Sequence, residues 1–435
     1  MRVLVTGASG FIGQRVVAAL VRAGHAVVCA SRRPRPAAQQ AHACEGLAVD
    51  FGAVPDAHWW LPRLAGIDAV VNAVGILREH PGQTFQALHA QAPIELFRAC
   101  ARAGVPFVLQ VSALGADAQA SSRYHLSKKA ADDALRALPL RSAIVQPSLV
   151  YGPDGASAAM FNGMAALPLL ALPRGGDMPV QPVHVDDVVD GVLALLQAPP
   201  RDAPTIAFVG PEPLTMRDFL AQLRRGLGWR SRLRVLPVPE SLFRSGAAIA
   251  GHVPGSFLDA ETAGMLLRGN VGPPEPFERL LGRRARPVSA FIEPARASAL
   301  REAAVLGTWL PALRWAIALL WLWTGVVSLG LYPAADSLAL LARVGLHGAL
   351  AQVALYGAAA LDLLLGLATI AATPRWRGAV WAAQILLIVG YTALITVFLP
   401  EYWLHPYGPI SKNVPIVAAI ALLWSLEPPA SAGTG

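Results

Sequence analysis

Apolar and polar positions divide this chain into two unlike stretches. Up to about Arg301, short apolar runs alternate with amphipathic ones. Val3-Leu4-Val5 reads as a short buried strand, and the apolar positions from Gln14 onward fit a helix closed by Gly24. Further strands are predicted from Ala26 to Ala30, Gly46 to Phe51, Ile67 to Gly75, Pro106 to Val111 and Ile144 to Val150. Helical sequence separates the later ones, from Thr84 to Ala103 and from Tyr124 to Leu138. Beyond Thr308 four long apolar segments follow, about Leu310 to Leu331, Gly348 to Ala372, Gly378 to Leu399 and Val414 to Leu426. The first three suffice for a hydrocarbon layer of ~30 Å at ~1.5 Å per helical residue, and the last needs its flanks.

Strand alternating with helix predicts an α/β fold, a Rossmann-type doubly wound parallel sheet, followed by an all-α membrane domain of about four spans. We expect a nucleotide-binding domain over residues 1–300, with a small substrate lobe mainly in 151–180 and 205–295. A linker is expected at 301–308, the membrane domain at 309–428 and a tail at 429–435.

Composition sharpens this division. A hydrophobic share of 54% and a mean hydropathy of +0.46 are too high for a purely soluble enzyme. Past Thr308 the ionisable Asp, Glu, Lys and Arg number nine, which is where the excess arises. The net charge of +8 does not point to nucleic acid, because the arginines are dispersed and no basic run is interleaved with aromatics. Cys29, Cys44 and Cys100 have neither metal spacing nor a disulfide framework and suit a reducing compartment, so no metal is expected. No cleavable signal is expected, and the pair Arg375 and Arg377 in one tight loop predicts that this loop faces the cytoplasm. Both termini and the nucleotide domain then face the cytoplasm, with the tail in the inner membrane.

The candidate chemistry begins at Thr6-Gly7-Ala8-Ser9-Gly10-Phe11-Ile12-Gly13, between the first strand and the first helix. A pyrophosphate can rest there on backbone N–H groups and the positive end of a helix dipole. Gly7 serves the tight turn, Gly10 the approach of the phosphates and Gly13 the packing of helix on strand. The second strand ends in Ser31-Arg32-Arg33 rather than in an acid, which suits the 2′-phosphate of NADP(H) better than the bare ribose of NAD(H). Asp50 can accept from the adenine amino group, and the small residues Asn72-Ala73-Val74-Gly75 leave room for the cofactor. Tyr124 and Lys128, four residues apart, share one helix face, and Ser112 ends the fifth strand nearby. In this reading Tyr124 is the general acid/base, Lys128 holds the ribose and lowers the phenol pKa, and Ser112 polarises a carbonyl. Bringing a phenol from ~10 to ~7 needs about 4 kcal/mol, which a cation ~4 Å away at an effective dielectric of ~20 supplies. Asp186 can cap the helix running to Gln197.

These segments, with Val111-Ser112-Ala113-Leu114-Gly115 and Gln146-Pro147-Ser148-Leu149-Val150-Tyr151-Gly152-Pro153, resemble the extended and atypical short-chain dehydrogenase/reductase superfamily over residues 1 to about 300. The branch they resemble contains the 39-kDa accessory subunit of respiratory complex I. That resemblance adds Ser9, Phe11, Ile12 and Pro147 to the cofactor-binding set. It implies a structural role for His184-Val185-Asp186-Asp187-Val188, and it leaves a non-catalytic nucleotide as an alternative. The four spans with His405 to Pro415 resemble the DoxX-like membrane family. The leading expectation is a membrane-anchored NADP(H)-dependent oxidoreductase acting on a carbonyl or alcohol, lipid- or quinone-like and reached from the lipid bilayer. The alternatives are a scaffold or assembly factor of a membrane respiratory complex, and, less favoured, a nucleotide-sugar epimerase or dehydratase. Asp362, a lone carboxyl within the second span, is set apart as a proton-coupling candidate.

Overall fold

A computed structural model describes residues 1–34, 44–251 and 259–427. They divide into two compact units, Met1–Ala304 and Val305 onward.

In the first unit seven parallel strands form one sheet. They are β1 (Arg2–Thr6), β2 (Ala26–Ser31), β3 (Cys44–Ala48), β4 (Ala69–Asn72), β5 (Phe107–Val111), β6 (Ser142–Pro147) and, much later in the chain, β11 (Thr205–Phe208). Their spatial order is β3-β2-β1-β4-β5-β6-β11, so the winding reverses between β1 and β4. Strands buried on both faces need apolar residues at successive positions, as Val3, Leu4 and Val5 provide. On one face, α1 (Gly13–Arg22) and α6 (Val185–Gln197) cover Val3, Val5, Val71 and Leu109. On the other, α2 (Ala57–Trp60), α3 (Ala92–Ala103) and α4 (Arg123–Arg136) cover Leu4, Val70 and Val108.

The lobe is built from short pieces. β7 (Val150–Tyr151) pairs with β10 (Val183–His184), β9 (Pro179–Val180) with β12 (Leu214–Thr215), and β8 (Leu169–Pro173) with β13 (Arg234–Val238). With them pack α5 (Ala156–Ala166), α7 (Met216–Gly226), α8 (Glu240–Ala250) and α9 (Ala260–Arg268), while α10 (Glu275–Leu281) lies on α6.

Three expectations change. The segment opening at Thr205, assigned to the lobe, instead adds β11 to the edge of the main sheet in register with β6. The sixth strand ends at Pro147, because Val150 and Tyr151 pair elsewhere. The cap of α6 is His184, whose Nδ1 accepts from the Asp186 N–H at 3.3 Å. Asp187 is fully buried and accepts from Arg283 at 2.6 Å, from Arg286 at 2.9 Å and from the Arg286 N–H at 2.7 Å. The His184–Val188 segment thus braces the sheet against the chain that follows α10.

The second unit is helical. α11 (Pro294–Val326) continues as a turn of wider helix to Leu331. α12 (Ala334–Arg343), α13 (Gly348–Ala371), α14 (Pro374–Phe398) and α15 (Asn413–Ser425) follow. Residues 301–308, expected as a linker, lie inside α11, since Arg301-Glu302-Ala303-Ala304 are strong helix formers. Among the described residues three helices are long and apolar enough to cross a membrane, and α15, at 13 residues, is shorter than the fourth span expected. Trp321, Leu365, Trp381, Ile388 and Ile420 fill the centre of the unit. Its outside is also apolar, with Val353 70% and Leu386 71% exposed, as a lipid-facing surface requires. Glu427 pairs with Arg314 and, at 3.2 Å, with Arg377 at one end of the bundle, while Arg343 pairs with Glu401 elsewhere. The expected tail, 429–435, lies outside the described residues.

Candidate functional site

The crevice lies where the winding reverses, beyond the carboxyl ends of β1 and β4. The two turns that leave these strands touch. Gly7 has φ +67°, and a methyl on it would meet the Ala73 carbonyl oxygen at 2.6 Å. A methyl on Gly13 would stand 2.1 Å from the Gly7 oxygen. Gly10 and Ser9 are exposed on the turn, and Gly75 is exposed opposite them. The result is a cradle of closely packed backbone that has no room for side chains at Gly7 and Gly13, at the N-terminus of a ten-residue helix. A dinucleotide's pyrophosphate fits it.

The flanks are built around that turn. Phe11 lies against Gly152 and Gly155, where methyl groups would come within 2.8 Å of its ring. Arg15 stacks on Phe11 at 4.3 Å and reaches Asp154 at 2.7 Å, which ties the first turn of α1 to the lobe. Arg32 and Arg33 are exposed beyond the end of β2, and Ser31 is half-buried. Asp50 lies two residues past β3 and caps a short turn by accepting from Gly52 N–H at 2.9 Å. Asn72 is fully buried and belongs to a polar row across the sheet. Thr6 donates to it at 2.6 Å, and it donates to Gln110 at 2.6 Å. Pro147 is buried at the end of β6, and Ile12 precedes α1.

Lys128 is 4% exposed, and its ammonium donates to the carbonyls of Val74 at 3.0 Å and Val111 at 3.1 Å, at the ends of β4 and β5. Burial lowers it to about 8, against the attraction of Asp132. Tyr124, one helical turn earlier, is half-buried with its ring edge-on to His89, at 5.3 Å, and to Phe85, at 5.7 Å. Burial pushes its phenol up to about 12, so the expected depression by Lys128 is reversed. The physical reason is that desolvation dominates here, while the ammonium is committed to backbone oxygens. Ser112 also differs from expectation. Its hydroxyl donates to the fully buried Asp132 at 2.5 Å, so it presents lone pairs to the crevice rather than the proton needed to polarise a carbonyl.

Two residues were missed in the sequence. Asp132 follows Lys128 by four, the spacing that singled out Tyr124 and Lys128, and burial raises its carboxyl to about 6. His89 gave no such signal. It sits fully buried in a wide turn of helix (Gln86–Gln91), and burial, aided by Lys128, holds it down to about 2. Its Nε2 accepts from the Ile76 N–H at 2.9 Å, so Nδ1 carries the hydrogen and donates to Ser127 Oγ at 3.1 Å. Ser127 in turn donates to the Tyr124 carbonyl at 2.8 Å.

A glycine cradle at the winding reversal of a parallel sheet, with a Tyr–Lys pair beside it, defines a nucleotide-binding α/β domain of the dehydrogenase type. Residues 3–210 match the NAD dependent epimerase/dehydratase family, and residues 318–421 match the DoxX-like family. The N-terminal part is therefore an NAD(P)-binding epimerase/dehydratase domain, and the C-terminal part is a DoxX-like membrane domain. The ceramide reductase of Caulobacter vibrioides is 28% identical over 250 residues, 57% of this chain and 77% of that protein. Mouse mitochondrial NADH dehydrogenase [ubiquinone] 1 alpha subcomplex subunit 9 is 27% identical over 256 residues, 55% of this chain and 63% of that subunit. Among solved structures, a Staphylococcus aureus nucleoside-diphosphate-sugar epimerase aligns at TM-score 0.54 and 17% identity, covering 67% of this chain and 99% of its own. An NADPH-dependent quinone oxidoreductase from Escherichia coli, complexed with NADPH, aligns at 0.54 and 18%, covering 68% and 99%. At these identities the two structures bear on the fold alone.

Proposed function

We propose that this protein is a membrane-anchored, NADP(H)-dependent reductase of a carbonyl on a lipid-like substrate. The observation that carries the reading is Tyr124 one turn of α4 from Lys128, whose ammonium is fixed at the ends of β4 and β5. Gly7, Ser9, Gly10, Phe11, Ile12 and Gly13 would hold the dinucleotide, with Asn72 to Gly75 opposite and Asp50 and Pro147 at the sides. Ser31, Arg32 and Arg33 would receive the 2′-phosphate, which supports NADP(H) over NAD(H). Bound there, the nicotinamide supplies hydride.

Each remaining role belongs to the chain. A phenol pushed to about 12 keeps its proton at neutral pH, so Tyr124 donates to a carbonyl oxygen more readily than it abstracts from an alcohol. Lys128, with two of its ammonium hydrogens on the Val74 and Val111 carbonyls, would have the third for a ribose hydroxyl and would add positive charge near the developing alkoxide. Ser112, its proton held by Asp132, accepts from a hydroxyl of the substrate or from the phenol. The lipid character of the substrate rests on the ceramide reductase among the relatives and on the chain's own apolar helices. Arg375 and Arg377 support a cytoplasmic side for the loop between α13 and α14, and with it the inner membrane and cytoplasmic termini as part of this reading.

A nucleotide-stabilised scaffold of a membrane respiratory complex is the second reading, favoured by the committed Ser112 hydroxyl and the mouse subunit's similarity. Chasing co-purified nucleotide from the full chain with NADPH, and separately with NADH, discriminates between them. Exchange within seconds, selective for NADPH, supports turnover; retention for hours refutes the reductase and favours the scaffold.

A further inference from the structure

The lobe carries an apolar outer face that neither the crevice nor the lobe's interior uses. β8 and β13 alternate as an edge ribbon should: Leu170 and Leu172 point inward and are buried, while Leu169 and Leu236 are each 53% exposed. α8 lies beside β8, joined by Arg174 pairing with Glu240. Phe243 and Ala247 of α8 turn inward. On its outer side Leu242 is 62% and Ile249 72% exposed, seven residues apart and so on one line of the helix, with the small residues Ser245 and Gly246 between them. Water is a poor neighbour for large aliphatic side chains left outside on both the ribbon and the helix beside it.

Arginine predominates along the chain that builds this face, although Asp177, in the turn after β8, is exposed as well and pairs with Arg217 at 3.3 Å. Arg225, Arg230, Arg232, Arg234 and Arg244 are all exposed. Glu240 is the one acidic residue between Arg224 and Arg244, and it already faces Arg174 and Arg244. Arg234 stands next to Leu169 in the ribbon's register. Exposed aliphatic side chains and exposed guanidinium groups carried on the same ribbon and helix, and on the chain leading into them, match the headgroup layer of a bilayer, with side chains entering the acyl boundary and arginines meeting lipid phosphates. We infer that the outer face of β8, β13 and α8 docks on an anionic lipid surface. The chain's own apolar helices keep a bilayer within reach.

Docking there has a structural consequence at the crevice. α8 packs on α9, and α9 supplies Glu261, whose carboxylate accepts from the Tyr124 N–H at 2.8 Å. Arg268 of α9 meets Asp117 at 2.7 Å and the Gly115 carbonyl at 2.9 Å, just beyond Ser112. The helix pair therefore has one side on the Tyr124 end of the crevice and the other on lipid. This inference goes beyond the proposed reductase and does not depend on turnover.

The test is amide hydrogen exchange of the full chain in nanodiscs of phosphatidylcholine, with and without phosphatidylglycerol, and in detergent. Amides of α8 and β13 should exchange on the order of tenfold more slowly in the anionic discs than in the neutral ones, with the difference removed by high salt. The pair Leu242→Ser with Ile249→Ser, and separately Arg230→Glu with Arg234→Glu, should lose that protection while the amides of α7 keep theirs, which reports an intact lobe. Equal exchange in all three media overturns the inference, as does protection unchanged in both variants. Protection that instead follows protein concentration in detergent assigns the face to a second copy and also overturns it. None of these readouts requires bound nucleotide, so the reductase can fail while the docking surface stands.

Discussion

Substituting Gly13 tests the cradle on geometry alone. A Cβ there falls 2.1 Å from the Gly7 oxygen and 2.8 Å from the Gly7 carbonyl carbon, both backbone atoms. Ordinary carbon–oxygen contact begins near ~3.3 Å, so Gly13→Ala must part the turn from α1 by about 1 Å. No side chain can absorb that movement, because the obstacle is the turn itself. The Gly7 oxygen also accepts from the Gly10 N–H at 2.9 Å, so the displacement passes straight to the phosphate-facing backbone. A misplacement of about 1 Å costs an active site on the order of 10²-fold in rate, and we expect a loss of the same order in NADPH affinity, since the displaced backbone is the one that would face the phosphates. The control is Gly24→Ala. Gly24 has φ +79° but nothing within 4 Å of an added methyl, so the change costs only the left-handed strain, about 1–2 kcal/mol of stability. Titrating NADPH fluorescence against the detergent-purified chain, with melting curves alongside, separates the two. Gly13→Ala should weaken NADPH by about two orders of magnitude, and Gly24→Ala should lower only the melting temperature. Wild-type affinity in Gly13→Ala would refute the cradle.

Other expectations follow from the same geometry. Tyr124→Phe should lower kcat by roughly 10²–10⁴-fold while leaving NADPH affinity within a few-fold, read by steady-state kinetics beside the binding titration. Lys128 loses its ammonium as pH rises through about 8, so NADPH affinity should fall there rather than near 10, and Lys128→Arg should remove that step. Stability runs the other way. The folded state holds the Lys128 proton less tightly than the unfolded chain, so the residue's contribution rises between about 8 and 10.5, seen as a widening advantage over Lys128→Met in melting temperature. Arg32→Ala with Arg33→Ala should weaken NADPH about tenfold or more and leave NADH nearly unchanged, measured by paired titrations. Asp187→Asn should cost about 2–3 kcal/mol in a denaturation curve, the low end for a buried pair because Arg283 and Arg286 are themselves 40% and 35% exposed.

How much of this was legible in the sequence depended on how local each cause was. The glycine turn was readable because its cause lies within a few residues, a strand of uninterrupted apolar positions followed by a periodic helix. The long apolar helices were readable because a bilayer imposes a minimum length. β11 was not readable, since four residues ending at Phe208 owe their place to the edge of β6, sixty residues earlier. Its partner, not its composition, makes it a strand. Tyr124 and Lys128 were found by spacing, but spacing says nothing of hydrogen-bond partners. The carbonyls of Val74 and Val111 that hold the ammonium, and Asp132 that holds Ser112, become neighbours only once the sheet has formed. Residues 301–308 were misread for the opposite reason. They lie where ionisable residues thin out, and that change of composition was read as a break between domains, although their helix propensity pointed to continuity.

The hydrogen-bond chain through His89 sets how the crevice responds to its surroundings. Held down to about 2, the imidazole keeps one tautomer across the whole range of pH that a cell experiences. It therefore works as a fixed strut with one donating and one accepting end, and it conveys position where a titrating histidine would convey charge. The Ile76 turn stands at one end of the strut and the first turn of α4 at the other. A shift of the Ile76 turn would thus be delivered to Tyr124 as a displacement of its backbone. If the proposed reductase holds its dinucleotide against that turn, the loop that receives the cofactor would also aim the proton donor, and loading and alignment would be one mechanical event.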